Sequence, residues 1–277
     1  MKFGILGFLL FSSYFCFAQS EKLPATKESL ITVSDDSINA NSAELEGLAI
    51  INDPAGYVSI YKGDTTSKII TRLFNDEVFM FLYAPSTSDW AEVGFEPELN
   101  SLDSIEKKYY SKFIRRGECI VNGDICLDKF IALSALPHIN NISITDTMPE
   151  REILIQNDTV KLFAKEAPFD IKKHKINLGK DSMQKIDDKK PWGSFDIPNR
   201  QLASIKLEIK GKQIEIPDSS YNDLYEPNME TFKVCFDKKG NIYLYMDGSD
   251  ACCSYYIAWI IKKGKYLKRY VEMSGYN

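Results

Sequence analysis

Two histidines, His138 and His174, and six cysteines are the side chains of this 277-residue sequence best suited to nucleophilic or metal chemistry. A reactive cysteine needs a base beside it, and the only material for a papain-type pair is Cys119 or Cys126 with His138 or His174. These positions lack the helix on which such a nucleophile normally starts, so the roles of a thiol triad cannot be filled. Neither histidine has a companion at metal-ligand spacing. Two acidic stretches, Asp223 to Glu226 and Asp247-Gly248-Ser249-Asp250, bring carboxylates near one another for Ca²⁺ or for acid and base work. Neither has the spacing of a twelve-residue calcium loop, and Asp, Gly and Ser are ordinary turn residues. No Gly-rich phosphate loop, Gly-x-Ser-x-Gly elbow or His-Glu-x-x-His helix occurs. The sequence therefore predicts no catalytic residue, metal ligand or cofactor, and leaves the aromatics Tyr57, Tyr61 and Trp90 as the best evidence for function.

The elements that must position these rings are strands. From Leu48 onward apolar and polar residues alternate, with Val58 and Ile60 against Ser59 and Tyr61, then Val78 to Tyr83, with Gly63-Asp64 and Asn75-Asp76 as turns between them. On that alternation Tyr61 faces away from Ile60 and the core, whereas Tyr57 and Trp90 serve equally as binding rings or as structural ones. Asn122-Gly123 predicts a two-residue hairpin that places Cys119 opposite Cys126. Beyond residue 151 further strands follow: Glu152 to Gln156 and Val160 to Phe163 as a hairpin, His174 to Leu178, and Ile205 to Ile209 turning at Gly211-Lys212. The last seventy or so residues alternate most cleanly, through Phe232, Val234 and Phe236, then Ile242, Leu244 and Met246, then Tyr255 to Ile261, then Tyr266 to Val271. That pattern predicts a four-stranded antiparallel meander. Apart from a helical turn at Asp128 to Ala135, no sustained helical period appears, so the fold class is mainly β.

Asp53-Pro54-Ala55-Gly56-Tyr57-Val58-Ser59-Ile60-Tyr61-Lys62-Gly63, followed by Ser67-Lys68-Ile69-Ile70-Thr71-Arg72-Leu73, Asn75-Asp76-Glu77-Val78-Phe79 and Asp89-Trp90-Ala91-Glu92-Val93, resembles a bacterial SH3 (SH3b) domain. The resemblance implies a small β-barrel that grips a peptide or cell-wall strand, with Tyr57, Tyr61 and Trp90 as ligand-binding residues at its lip. Family members close the barrel soon after the Asp-Trp step. Here residues 94–110 intervene, and the closing strand is either Lys112-Phe113-Ile114-Arg115 or Lys129-Phe130-Ile131, with the Asn122-Gly123 hairpin as decoration. The second half resembles a domain found beside SH3 domains in exported Bacteroidetes proteins. That likeness rests on Ile186-Asp187, Pro191-Trp192-Gly193, Ile214-Glu215-Ile216-Pro217, Asp223-Leu224-Tyr225-Glu226-Pro227-Asn228 and Ser249-Asp250, and it implies no particular activity.

Lys2, the apolar run Ile5 to Phe17 and Ala18 before Gln19 have the form of a cleaved secretory signal, shorter than the roughly 20 residues of a bilayer span. Glu21 to Glu46 has the composition of a linker. The expected organisation is a signal at 1–18, a linker at 19–47, an SH3-like barrel with insertions at 48–138 and a β-rich domain at 151–277. Loss of Cys16 with the signal leaves five of the six cysteines, an odd number in an oxidising compartment. Cys119, Cys126, Cys235, Cys252 and Cys253 are the disulfide candidates, and a Cys119–Cys126 bridge, a vicinal Cys252–Cys253 bridge, a link to Cys235 and buried thiols all stay open. The net charge of −5 excludes a phosphate backbone as the natural partner. The expectation is a secreted or periplasmic envelope protein that binds a peptide, a cell-wall strand or an envelope protein, with no membrane span after cleavage. The competing class is an envelope enzyme or enzyme inhibitor whose active surface lies in the second domain.

Overall fold

A computed structural model describes residues 47–61, 69–75, 77–83, 90–95, 121–147, 149–178, 184–249 and 253–274. The expected signal falls outside the described residues, as do the expected linker up to residue 46, Lys112 to Arg115, Cys119 and Cys252, whereas Gly47, the last linker residue, opens the first strand. All described residues belong to one compact unit, Asp36–Asn277.

The architecture is mainly β, with short 3₁₀ turns and no α-helix among the described residues. The first sheet contains β1 (Gly47–Ile51), β2 (Tyr57–Tyr61), β3 (Ile69–Phe74), β4 (Val78–Tyr83), β5 (Trp90–Phe95), β6 (Val121–Cys126) and β7 (Phe130–Ala132). They lie in the order β3-β2-β6-β5-β4-β1-β7 and curl into a half-barrel. Side chains alternate along each strand, so Val58, Ile60, Leu73, Phe79, Phe81, Ala91, Val93 and Ile125 fill the inside of the curl. Two local expectations give way here. Asn122-Gly123 is no hairpin turn: both residues lie within β6, opposite Gly94 and Val93 of β5. A six-residue ladder with β5, extended to β2 through Tyr61 and Asp124, outweighs the turn preference of the dipeptide. The segment Lys129-Phe130-Ile131 contributes to β7, which pairs with β1 and borders the sheet instead of sealing it. The helical turn expected at Asp128 to Ala135 is split by β7 into two 3₁₀ turns, Leu127–Lys129 and Leu133–Ala135.

The second half contains a five-stranded sheet of β8 (Ile142–Thr147), β9 (Glu150–Gln156), β10 (Val160–Pro168), β13 (Arg200–Ile209) and β14 (Lys212–Ile214), in the order β14-β13-β10-β9-β8. A ribbon of β11 (Ile176–Leu178) and β12 (Gln184–Ile186) is inserted between β10 and β13. His174 lies just before that ribbon, capping a 3₁₀ turn, because Asp170 accepts the Lys172 amide and begins the turn there. The C-terminal strands β15 (Lys233–Phe236), β16 (Ile242–Gly248), β17 (Tyr255–Lys262) and β18 (Lys265–Met273) form the four-stranded antiparallel meander in sequence order. The β17–β18 turn shows why the chain reverses there: Lys263 and Gly264 both take positive φ, 51° and 68°, as a type I′ turn requires.

The meander is the middle of three layers. Val234, Leu244, Met246, Ile257 and Trp259 on one face meet Ile153, Ile155, Leu162, Ile205 and Leu207 of the five-stranded sheet. Cys235, Tyr243, Tyr245, Ala258 and Ile260 on the other face meet Leu48, Ile50, Val78 and Met80 of the half-barrel, together with Leu133 and Leu136. Burial on both sides explains why Ile242 to Met246 and Ile257 to Ile261 are apolar runs, closed to solvent at every position. All five residues of β1 are buried for the same reason. The segment joining the two halves also takes part, since Ile139 N–H donates to the Val234 carbonyl and Phe236 N–H to the Pro137 carbonyl along the edge of β15.

Candidate functional site

Val58 and Ile60 point into the half-barrel, which turns Tyr57, Ser59 and Tyr61 outward. Antiparallel register then sets Tyr57 opposite Phe74, Ser59 opposite Arg72 and, after a bulge at Ile60, Tyr61 opposite Ile69. The start of this strip is held by the Asp53-Pro54-Ala55-Gly56 turn. The Asp53 carboxylate accepts the Ala55 amide at 2.8 Å and meets Lys129 at 3.0 Å. Asn75, just past β3, closes the turn, donating its side-chain amide to the Asp53 carbonyl at 2.8 Å and its backbone N–H to the Gly56 carbonyl at 2.9 Å. The Ala55 amide first, and Lys129 second, hold the Asp53 carboxyl below its ordinary pKa.

The rings form two contacts. Tyr61 meets Trp90 edge to face, with centroids 5.7 Å apart and planes at 85°. At the other end Arg72 lies 4.7 Å above the Tyr57 ring, whose other neighbour is Phe74 at 6.3 Å. Tyr57, Phe74 and Ile69 are 37%, 56% and 48% exposed. Four residues at about 3.3 Å each separate Tyr57 from Tyr61, so the strip spans about 13 Å, the length of a four-residue extended segment. β3 borders the first sheet. The Phe74 amide on its open side is taken by the Glu77 carboxylate at 2.6 Å, which blunts that end of the edge.

The structure thus brings Tyr61 and Trp90 into contact and places Tyr57 farther along the same face. Sequence reasoning missed Arg72, Phe74 and Ile69, and the signal for them was cross-strand pairing: once β2 is known to face outward at odd positions, its antiparallel partner must do likewise.

In the second half Asp223 and Glu226 serve the fold. Arg269 holds Asp223 bidentately, at 2.5 and 2.6 Å, and also donates to the Ser220 carbonyl, which receives the Trp259 indole N–H as well. Glu226 accepts the Asn199 amide at 2.6 Å. Asp247 has one buried oxygen without a partner among the described residues, and Asp250 lies outside them. Among the described residues no group of three or more His, Cys, Asp or Glu is placed to hold a metal ion. His174 Nδ1 lies 2.7 Å from Asp187, with the ring stacked on Phe169, and His138 Nδ1 lies 3.1 Å from the Leu136 carbonyl.

Cys126 stands opposite Trp90 in the β5–β6 ladder. Cys235 is a free thiol, and burial pushes its pKa up to about 12, so the nucleophilic thiolate is suppressed. Register also separates it from half-buried Cys253. Cys235 is level with Tyr243 and, through it, with Ile260. Cys253 lies before Tyr255, which opens β17 and is itself five residues, about 16 Å of strand, from Ile260, against the ~7 Å limit between bridged Cα atoms.

Among the described residues no helix is long and apolar enough to cross a membrane. Comparison of the chain with protein-family models, curated proteins and solved structures gives no match in any of the three.

Proposed function

We propose that this chain is an exported binding protein of the bacterial envelope, and that the outer face of β2 and β3 holds an extended peptide or peptidoglycan-like strand. The observation that carries the reading is the exposed strip from the Tyr61–Trp90 pair to Arg72, Tyr57 and Phe74, on strands whose opposite face is already closed by the core. Exposed rings grouped on one face, with a polar group among them, are a feature of interaction surfaces. Arg72 stacks on Tyr57 and, among the described residues, meets no carboxylate, so its charge is available to a carboxylate or carbonyl of the ligand. The likeness of this segment to bacterial SH3 domains supports a peptide or cell-wall target, and the signal-like first 18 residues support export.

The test is a pull-down of the full chain with purified cell wall and with envelope proteins, parent against Tyr61→Ala. Loss of an aromatic anchor from a small interface costs on the order of 2 kcal/mol, so affinity should fall about thirtyfold. Equal binding by parent and variant would remove the strip from the function.

A further inference from the structure

We propose that the cleft between β12, the Pro191-Trp192-Gly193 loop and the end of β18 is a second binding site, separate from the barrel surface, for an apolar carboxylate. Gln184 at the head of β12, Lys190, Pro191, Trp192, Phe195 and Met273 line it as a shallow cleft open to solvent. Its floor is fixed. Trp192 N–H donates to the Asp223 carbonyl at 3.0 Å, and Tyr225 N–H donates back to the Trp192 carbonyl at 2.9 Å. Gly193 has φ +90°, and a Cβ there would stand 2.1 Å from the Tyr225 carbonyl oxygen and 2.8 Å from the Tyr255 ring. Only glycine lets the loop lie this close, and Asp223 beneath it is clamped by Arg269.

Two polar groups in this cleft are open to a ligand: a buried amide without a partner among the described residues, and a half-buried cation that meets no carboxylate. Gln184 Nε2 is buried without an acceptor. The Lys190 ammonium lies 5.4 Å from the Trp192 ring centroid and 3.9 Å from Met273 Sδ, and it meets no carboxylate. Buried donors are normally satisfied, and one left open in a cleft calls for an acceptor from outside. An amide donor and a cation on one cleft select a carboxylate, and the walls of Trp192, Phe195, Pro191 and Met273 select an apolar body attached to it. A free organic acid and the C-terminus of a peptide ending in a large apolar residue share this chemistry.

The experiment follows the indole N–H signal of Trp192 by NMR in the full chain, assigned through its loss in Trp192→Phe, during titration with three probes. They are 3-phenylpropionate for a free acid, N-acetyl-phenylalanine for a peptide terminus, and N-acetyl-phenylalaninamide, which is neutral. The site predicts that at least one acid shifts the signal and that N-acetyl-phenylalanine binds about tenfold more tightly than its amide, the usual margin for a charge-assisted hydrogen bond. The tighter of the two acids identifies the source. Lys190→Met should abolish the preference for acid over amide while the melting temperature holds, and Tyr61→Ala should leave it unchanged, so this site and the barrel surface stand or fall separately. Absence of a shift at millimolar acid, equal binding of acid and amide by the parent, or a preference that survives Lys190→Met would each overturn the proposal.

Discussion

β2 and β16 carry nearly the same message and meet opposite fates. Tyr57-Val58-Ser59-Ile60-Tyr61 and Ile242-Tyr243-Leu244-Tyr245-Met246 both carry apolar residues on one side and tyrosines on the other, joined on β2 by Ser59, and in both the apolar side faces a core. On β2 the tyrosines face outward beside Arg72 and Trp90. On β16 they are covered by Leu48, Ile50, Val78 and Met80 of the half-barrel. A period of two tells which residues share a side of a strand, and only a distant partner decides whether that side meets water. The same residue type is therefore a packing element in one sheet and a candidate anchor for a ligand in the other.

The largest effect should come from the covered face. Tyr243→Ala leaves a cavity between two layers and removes the hydrogen bond from its hydroxyl to Asp237, so urea unfolding should show a loss of about 3 kcal/mol. The same truncation at Tyr61, half-buried against Trp90, should cost about 1 kcal/mol or less, which is the contrast at its simplest. Equal losses at the two sites would erase it.

Acid should loosen the turn beneath the exposed strip. The Asp53 pKa is lowered in the folded chain, so its stabilising contribution is present above the unfolded carboxylate pKa, about 4, and is lost as pH falls through the folded value. A melting curve measured at decreasing pH should drop less for Asp53→Asn than for the parent over that interval, and an unchanged pH dependence would show that Asp53 is uncoupled from folding. The smallest expected signal is at Cys235. Peptide-resolved alkylation at pH 8 should leave it unmodified in the native chain and modify it only on unfolding, because its thiol is buried between layers with its pKa raised. Rapid native labelling would mean that the covered face opens.

What could be read in advance follows the range of each interaction. The meander and its Lys263-Gly264 turn were legible because neighbouring strands pair with neighbours and the turn chemistry is local. So was the outward facing of Tyr61. Asn122-Gly123 misled because its local turn preference was set against pairing with β5 and β2, strands that lie far back along the chain and that no local pattern announces. Arg72 and Phe74 required the β2–β3 register. Gln184 and Lys190 carry no local signal, because a buried amide without a partner and a cation set beside Trp192 are properties of three-dimensional surroundings.

The middle position of the meander has a consequence for how the chain is made. Its strands are joined by short connections and can pair quickly, whereas β1 and β4 must wait for a partner far along the chain, the kind of long-range contact that slows folding. During synthesis the half-barrel emerges first, with Leu48, Ile50, Val78 and Met80 uncovered until residues 233–273 have followed. The growing chain therefore carries an adhesive apolar surface for most of its passage, and its safekeeping in that interval falls to the machinery that handles nascent polypeptides.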